Sequence, residues 1–280
     1  MKIDKNIILE RDNKKPILID TFYSENIENQ SVVIFSHGYK GFKDWGAWDL
    51  MSETLAKAGF CFIKFNFSHN GGTMDNPIDF PDLEAFGNNN YTKELDDLDA
   101  VITWTQDYFK SNSNINIQNI SLIGHSRGGG ITILKASEDH RITKLITLAS
   151  VCDFGKRTAT IGDLDSWKKE GVKYVLNGRT KQQMPHFYQF FEDFKANEER
   201  LHIESAERRL NIPHLIIHGS DDTSVKIDEA EALHQWNPNS EYKIIDNADH
   251  VFNTKHPWNK SELSNELNAV VDQVIDFIKR

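Results

Sequence analysis

Three residue types, far apart along the chain, could together cleave an acyl bond. They are a serine in Gly124-His125-Ser126-Arg127-Gly128, an aspartate in His218-Gly219-Ser220-Asp221-Asp222-Thr223-Ser224-Val225, and a histidine in Ala248-Asp249-His250. A serine hydroxyl is a weak nucleophile at neutral pH. It needs a base to take its proton, and the base needs a partner that fixes its tautomer. In this order along a chain, Ser126 is the candidate nucleophile, Asp222 the orienting acid and His250 the base. Asp221 and the upstream Asp153 are rivals for the acid, and the sequence leaves open which neighbouring carboxylate faces the imidazole. His256 is a rival for the base, but it lies farther from the preceding apolar run and precedes Pro257. A negative oxygen on the attacked carbon calls for two backbone N–H groups. Arg127, directly after the serine, offers one, and Tyr39 in His37-Gly38-Tyr39 offers the other.

These residues need elements to position them. Ile120-Ser121-Leu122-Ile123 reads as a short buried strand and Ile131 to Ala136 as a buried helix, so Gly124 to Gly128 is a sharp strand-to-helix turn. Such a turn pushes its serine out above a sheet, and its glycines are required because side chains would collide across it. Ser31 to Ser36 is an apolar run that reads as a central strand running into His37-Gly38-Tyr39. Ile7 to Glu10 and Ile17 to Phe22 read as a hairpin, and Cys61 to Phe67 as a further strand. Gly46 to Ala58 and Tyr91 to Phe109 have helical periodicity, and Met74 to Asn90 reads as a polar surface excursion. Lys144 to Ala149, His214 to His218 and Glu241 to Asp246 continue the strands. Lys226 to Gln235 and Ser261 to Ile278 continue the helices, the last capped by Ser261 with Glu262 in its first turn. This alternation predicts an α/β fold, with a mostly parallel sheet covered by helices on both faces.

The alternation stops between residues 154 and 211. That segment carries an Asn177-Gly178 hairpin signal and the aromatic run Phe187 to Phe194. It is expected to be an insertion over the sheet within a single domain spanning residues 1–280. Trp167, Phe187 and Phe190 are candidate walls of a substrate pocket, although aromatic residues at such spacing also serve simply to anchor a segment to a core.

Composition narrows the classes. The formal net charge is −10 with no long run of Lys and Arg, which argues against nucleic acid as a partner. Cys61 and Cys152 are far apart, and Cys61 sits in an apolar run, so free thiols are expected. No CxxC, HExxH, Walker A or GxGxxG pattern occurs, and no metal, nucleotide or other cofactor is expected. No apolar run is long enough for a membrane span. The first residues lack the apolar core of a signal peptide, so a cytoplasmic location is expected.

With His37-Gly38-Tyr39, Asn66-Phe67-Ser68-His69-Asn70-Gly71, the serine turn, His218 to Val225 and Ala248-Asp249-His250 in place, the chain resembles the α/β-hydrolase superfamily from end to end. Within it, the chain is similar to acyl hydrolases related to cinnamoyl and feruloyl esterases and to serine aminopeptidase-like enzymes. The resemblance implies an eight-stranded, mostly parallel sheet whose second strand is antiparallel, and a small cap, residues 154–211, inserted after the sixth strand. It also implies cofactor-free hydrolysis of a small-molecule ester through an acyl-serine. One departure is that relatives commonly carry Asp-x-Arg-Gly-His-Gly where this chain has Asn66 to Gly71. A short-peptide peptidase is a second reading, which an acidic cluster on the inner face of the cap would favour. A ligand-binding protein without turnover is a reading from a different class.

Overall fold

The computed structural model describes residues 1–280. Ten strands form: β1 (Lys2–Leu9), β2 (Ile17–Tyr23), β3 (Gln30–Ser36), β4 (Cys61–Phe65), β5 (Ile115–His125), β6 (Ile142–Leu148), β7 (Val172–Leu176), β8 (Gln183–Phe187), β9 (His214–Gly219) and β10 (Glu241–Ile245). Ten helices join them: α1 (Trp48–Lys57), α2 (Leu83–Gly87), α3 (Tyr91–Phe109), α4 (Arg127–Glu138), α5 (Phe154–Ala159), α6 (Leu164–Glu170), α7 (Gln189–Ala196), α8 (Ile203–Arg209), α9 (Ile227–Trp236) and α10 (Asn265–Lys279). Eight strands make one sheet in the order β1-β2-β4-β3-β5-β6-β9-β10. β2 runs antiparallel to both of its neighbours, and the pairs from β4 to β10 are parallel. This is the sheet that the sequence and its resemblance predict.

Strand period explains the layers. On β3, Val32 and Ile34 enter one hydrophobic core while Val33 and Phe35 enter the other. β9 splits in the same way, with Ile216 on one face and Leu215 and Ile217 on the other. Both faces of each strand are therefore apolar, as a sheet covered on both sides requires. The helices α3, α4, α8 and α9 cover the first face, and α1 and α10 cover the second.

The segment from 154 to 211 leaves the sheet after β6 and carries α5 to α8 and the two-stranded sheet β7-β8. Its buried side chains Phe154, Trp167, Phe190, Phe194, Leu201 and Ile203 join the first core instead of forming one of their own.

Three local expectations are corrected. The β7-β8 hairpin exists, but Asn177-Gly178 is not a two-residue turn. The loop runs from 177 to 182, and the Asn177 side chain organises it by accepting the amides of Arg179 and Thr180. Met74 to Asn90 is not wholly a surface excursion. Phe80 and Phe86 are buried with Phe42 and Met184, and α2 forms there with Asp82 as its cap. The last helix starts later than predicted. Ser264, not Ser261, is its cap, accepting the Leu267 amide, and Glu266, not Glu262, lies in its first turn.

The difference between the two serines is measurable. Ser264→Ala should lower unfolding free energy by about 1 kcal/mol. Ser261→Ala, at an exposed position, should change it by less than about 0.5 kcal/mol in the same urea titration.

Candidate active site

Parallel strands deliver their C-terminal ends to one edge of the sheet, and the loops that leave β3, β5, β6, β9 and β10 meet there. β5 ends at His125 and α4 begins at Arg127, so Ser126 alone makes the turn. It does so at φ 56° and ψ −118°, a conformation that non-glycine residues rarely adopt. Neighbouring backbone holds it there. The Ser126 amide donates to Leu148 O at the end of β6 (2.9 Å), and Ser126 O accepts from Gly129 (3.0 Å) and Val151 (3.3 Å). A Cβ at Gly124 would collide with Thr132 and with the Gly128 backbone, and one at Gly128 would collide with the backbone of Ser36 and His37. Those contacts are why the two glycines flank the turn.

The sequence-predicted partners converge on this serine. His250 Nε2 lies 3.0 Å from Ser126 Oγ. His250 Nδ1 donates to Asp222 Oδ2 at 2.7 Å. The other carboxylate oxygen, Oδ1, accepts the amides of Ser224 (2.8 Å) and Val225 (2.9 Å). Asp222 is thereby fixed on three sides, and its side chain is fully buried while that of His250 is 21% exposed. Burial alone would raise the Asp222 pKa. Hydrogen bonds from His218 and His250, the charge of His250 and the Val225 amide outweigh it and hold the carboxyl well below the usual range. The anionic form fixes Nδ1–H on the histidine and leaves Nε2 free to accept a proton.

The rivals are placed elsewhere. Asp221 is exposed and accepts from Ser220 Oγ. Asp153 caps α5 through the Lys156 amide. His256 Nδ1 accepts the Gly46 amide, with its ring against Phe42. His218, which the sequence reading missed as a site residue, donates Nε2 to Val225 O and sits 3.4 Å from Asp222 Oδ2. Its signal was its place in the strand that leads into the aspartate loop.

Tyr39 and Arg127 lie close together, with the Arg127 guanidinium 4.3 Å from the Tyr39 ring centroid. A Cβ on Gly38 would meet Ser126 Cβ at 2.9 Å, which shows how closely the turn after β3 approaches the serine. Arg127 opens α4, so its N–H belongs to the first helical turn, where amides have no intrahelical partner. Both residues line, with Ser126 and His250, a cavity of about 380 Å³.

The cavity walls differ from the expectation. Trp167, Phe187 and Phe190 do not line it. Trp167 is fully buried and donates Nε1 to His186 O. Phe187 packs its ring against Gly87, and Phe190 packs edge-on against Tyr91. All three anchor the inserted segment. The inserted segment instead presents Phe154, Arg157, Thr160, Ile161 and Val175 to the cavity, and Tyr91 at the start of α3 stacks on Phe154 at 3.9 Å. No Asp or Glu lines the cavity, so the acidic cluster that would favour a peptidase is absent there. The loop Asn66 to Gly71 also stays out of the wall. Ser68 donates its amide and hydroxyl to Asp97, which Arg11 pairs at 2.6 Å.

Two further histidines brace the site in neutral form. His125 Nε2 donates to His250 O at 2.8 Å, and burial first, then the neighbouring His250, pushes its pKa down to about 3. His37 Nδ1 donates to Gly38 O, and burial pushes its pKa down to about 4.

A scan against protein-family models returns no match, and neither does a search of curated proteins. Among solved structures, the chain is similar to Est1E from Butyrivibrio proteoclasticus, at 18% identity and TM-score 0.71 over 99% of this chain and 98% of that one. Est1E has also been solved with ferulic acid bound. It is similar to the esterase domain of a Rhodothermus marinus protein, at 19% identity and TM-score 0.65 over 100% and 99% of the two chains. It is similar as well to a dienelactone hydrolase from Anabaena variabilis, at 13% identity and TM-score 0.63 over 100% and 98%. At these identities the likeness establishes the fold, and the chain has the α/β-hydrolase fold. No helix is long and apolar enough to cross a membrane.

The neutral histidines predict a pH effect. A histidine held below its unfolded pKa stabilises the fold fully above about pH 6.5, and that contribution is lost as pH falls towards the folded value. Relative to His125→Gln, the wild-type protein should therefore lose unfolding free energy between pH 6.5 and pH 4. A constant difference across that window, measured by urea titration, would contradict the assignment of a neutral His125.

Proposed function

We propose that this chain is a serine hydrolase that cleaves carboxylic esters of small molecules through an acyl-serine intermediate. The observation that carries the reading is the continuous line of contacts Ser126 Oγ to His250 Nε2 (3.0 Å) and His250 Nδ1 to Asp222 Oδ2 (2.7 Å), opening on one cavity. The choice of esters is supported by the fold shared with an esterase domain and with Est1E, which has been solved with ferulic acid bound.

In this reading Ser126 Oγ attacks the acyl carbon while His250 Nε2 takes its proton. The tetrahedral oxygen gains negative charge and points at the amides of Tyr39 and Arg127. Each such donor contributes about 10²–10³ in rate. Asp222 stays ionised, holds Nδ1–H and stabilises the imidazolium. The C–O bond to the alcohol then breaks, and His250 returns its proton to the departing oxygen. Water attacks the acyl-serine by the same route in reverse, releasing the acid and restoring Ser126. The segment from 154 to 211 acts as a cap, shaping the cavity through Phe154, Ile161 and Val175. The peptidase reading lacks the acidic grip on a free amine that it requires.

The test is hydrolysis of a panel of aryl and alkyl esters by three variants. Ser126→Ala should reduce kcat by about 10⁶. Asp222→Asn should reduce it by about 10⁴, because the amide favours the wrong tautomer. Asp221→Asn should leave it within about twofold, as expected for an exposed carboxylate outside the contacts. Equal losses at both aspartates would contradict the assignment, and full activity in Ser126→Ala would sink the mechanism.

A further inference from the structure

The Arg127 guanidinium is poorly served by the protein around it. Its side chain is only 12% exposed. Its one side-chain hydrogen bond runs from Nη1 to Glu94 Oε1 at 3.4 Å, long for a charge-assisted bond, which is usually about 2.7–2.9 Å. A guanidinium has five N–H donors, and leaving most of them without acceptors in a desolvated place costs free energy. Three other sheltered arginines are well served. Arg157 donates to Ser224 O and Glu229, Arg141 to Asp139, Asp99 and Thr103, and Arg11 to Asp97 and Lys15 O. What surrounds Arg127 is aromatic. Its Cζ lies 4.3 Å from the Tyr39 ring centroid, 5.3 Å from that of Tyr91 and 5.6 Å from that of Phe190. Rings stabilise the flat faces of the cation but offer nothing to its N–H edge.

A second cation stands beside it. Lys40 Nζ is 4.9 Å from the centroid of the same Tyr39 ring. It has no carboxylate partner and donates only to Leu176 O at 3.2 Å. Burial and the positive charge of Arg127 both push its pKa down. Two like charges are thus held against one ring, next to Ser126, on a cavity that no Asp or Glu lines. Glu94 is the one carboxylate in contact with either cation, so the pair keeps a net positive charge that an anion in the cavity would balance.

We propose that the cavity takes an ester bearing a second, free carboxylate, and that the Arg127 and Lys40 side chains hold that carboxylate. The proposal rests on the ester-hydrolase reading above and adds the charge of its substrate. A planar carboxylate suits the guanidinium edge, which can donate two parallel bonds to it, and the lysine adds a point charge. Arg127 then has two separable parts, an amide facing the reacting oxygen and a side chain that selects the substrate.

The test compares matched esters that differ only in that charge. One pair, monomethyl and dimethyl adipate, carries it on the acyl side. The other, 3-acetoxybenzoate and its methyl ester, carries it on the leaving group. In at least one pair the anionic member should have the higher kcat/KM by about ten- to a hundredfold, the worth of a charged hydrogen bond. Arg127→Gln should abolish that preference and Lys40→Gln should reduce it. Fluorophosphonate labelling of Ser126 gives a readout that needs no turnover. Adipate should slow labelling of the wild-type protein and not of Arg127→Gln. Preference for the neutral member in both pairs, a preference unchanged in both variants, or labelling indifferent to adipate would overturn the proposal. Absence of label on Ser126 would instead overturn the hydrolase reading on which it rests.

Discussion

A single strained residue sets the terms for the site. Ser126 occupies φ 56° with a Cβ that this region disfavours, at a cost of roughly 1–3 kcal/mol. Within the turn, only the bond from the Gly129 amide to Ser126 O acts against that cost. The rest comes from what the turn is wedged between: the end of β6, which accepts the Ser126 amide, the Val151 amide, which reaches Ser126 O, and the end of β3, whose backbone closes on Gly128. Relaxing the serine would break its bond to Leu148 O. The conformation thus persists because the central sheet determines both its ends. The same wedge brings Gly38 up against the serine, where a Cβ would meet Ser126 Cβ at 2.9 Å.

The electrostatics of the site follow from which groups are desolvated and which are paired. Asp222 is buried yet strongly acidic because two histidines and two backbone amides serve its oxygens. His125 and His37 are buried without a carboxylate and stay neutral, which lets them brace His250 and Gly38 through carbonyl oxygens. Arg127 departs from this rule among the groups on the cavity, since it is sheltered and keeps its charge with one long contact. A group that breaks a rule its neighbours obey is the natural place to look for a ligand.

How much of this was legible in the sequence depended on the range of the forces involved. Apolar periodicity reports burial locally, so the parallel strands, α3 and the turn around Ser126 could be read to within a few residues. The order of Ser126, Asp222 and His250 could be read because each follows a strand, and parallel strands bring such loops together. Contacts between distant segments leave no such trace. Lys64 lies in a buried strand and looks out of place there, until the structure pairs it and Lys43, both fully buried, with Asp20 and Asp44. The aromatic residues of the inserted segment read from the sequence as candidate pocket wall, but composition does not say which way a ring faces. Trp167 and Phe190 turn into the core, Phe187 packs against Gly87, and less conspicuous residues, Ile161 and Val175, take the wall. Ser264 displaced Ser261 as a cap because its hydroxyl also reaches Phe252 O, a contact made twelve residues away.

The proposed mechanism places the covalent step at one oxygen atom, Ser126 Oγ, which lies 3.0 Å from His250 Nε2, and that atom can be examined directly. A slowly deacylating aryl ester is mixed with the enzyme, the reaction is quenched in acid within the first turnover, and the peptide containing Ser126 is analysed by mass spectrometry. The account predicts that this peptide gains the mass of the acyl group, stoichiometrically with the first burst of released phenol, and that the adduct decays at the steady-state rate. Hydrolysis that proceeds with no acyl group on Ser126, or with the acyl group on another residue, would contradict it.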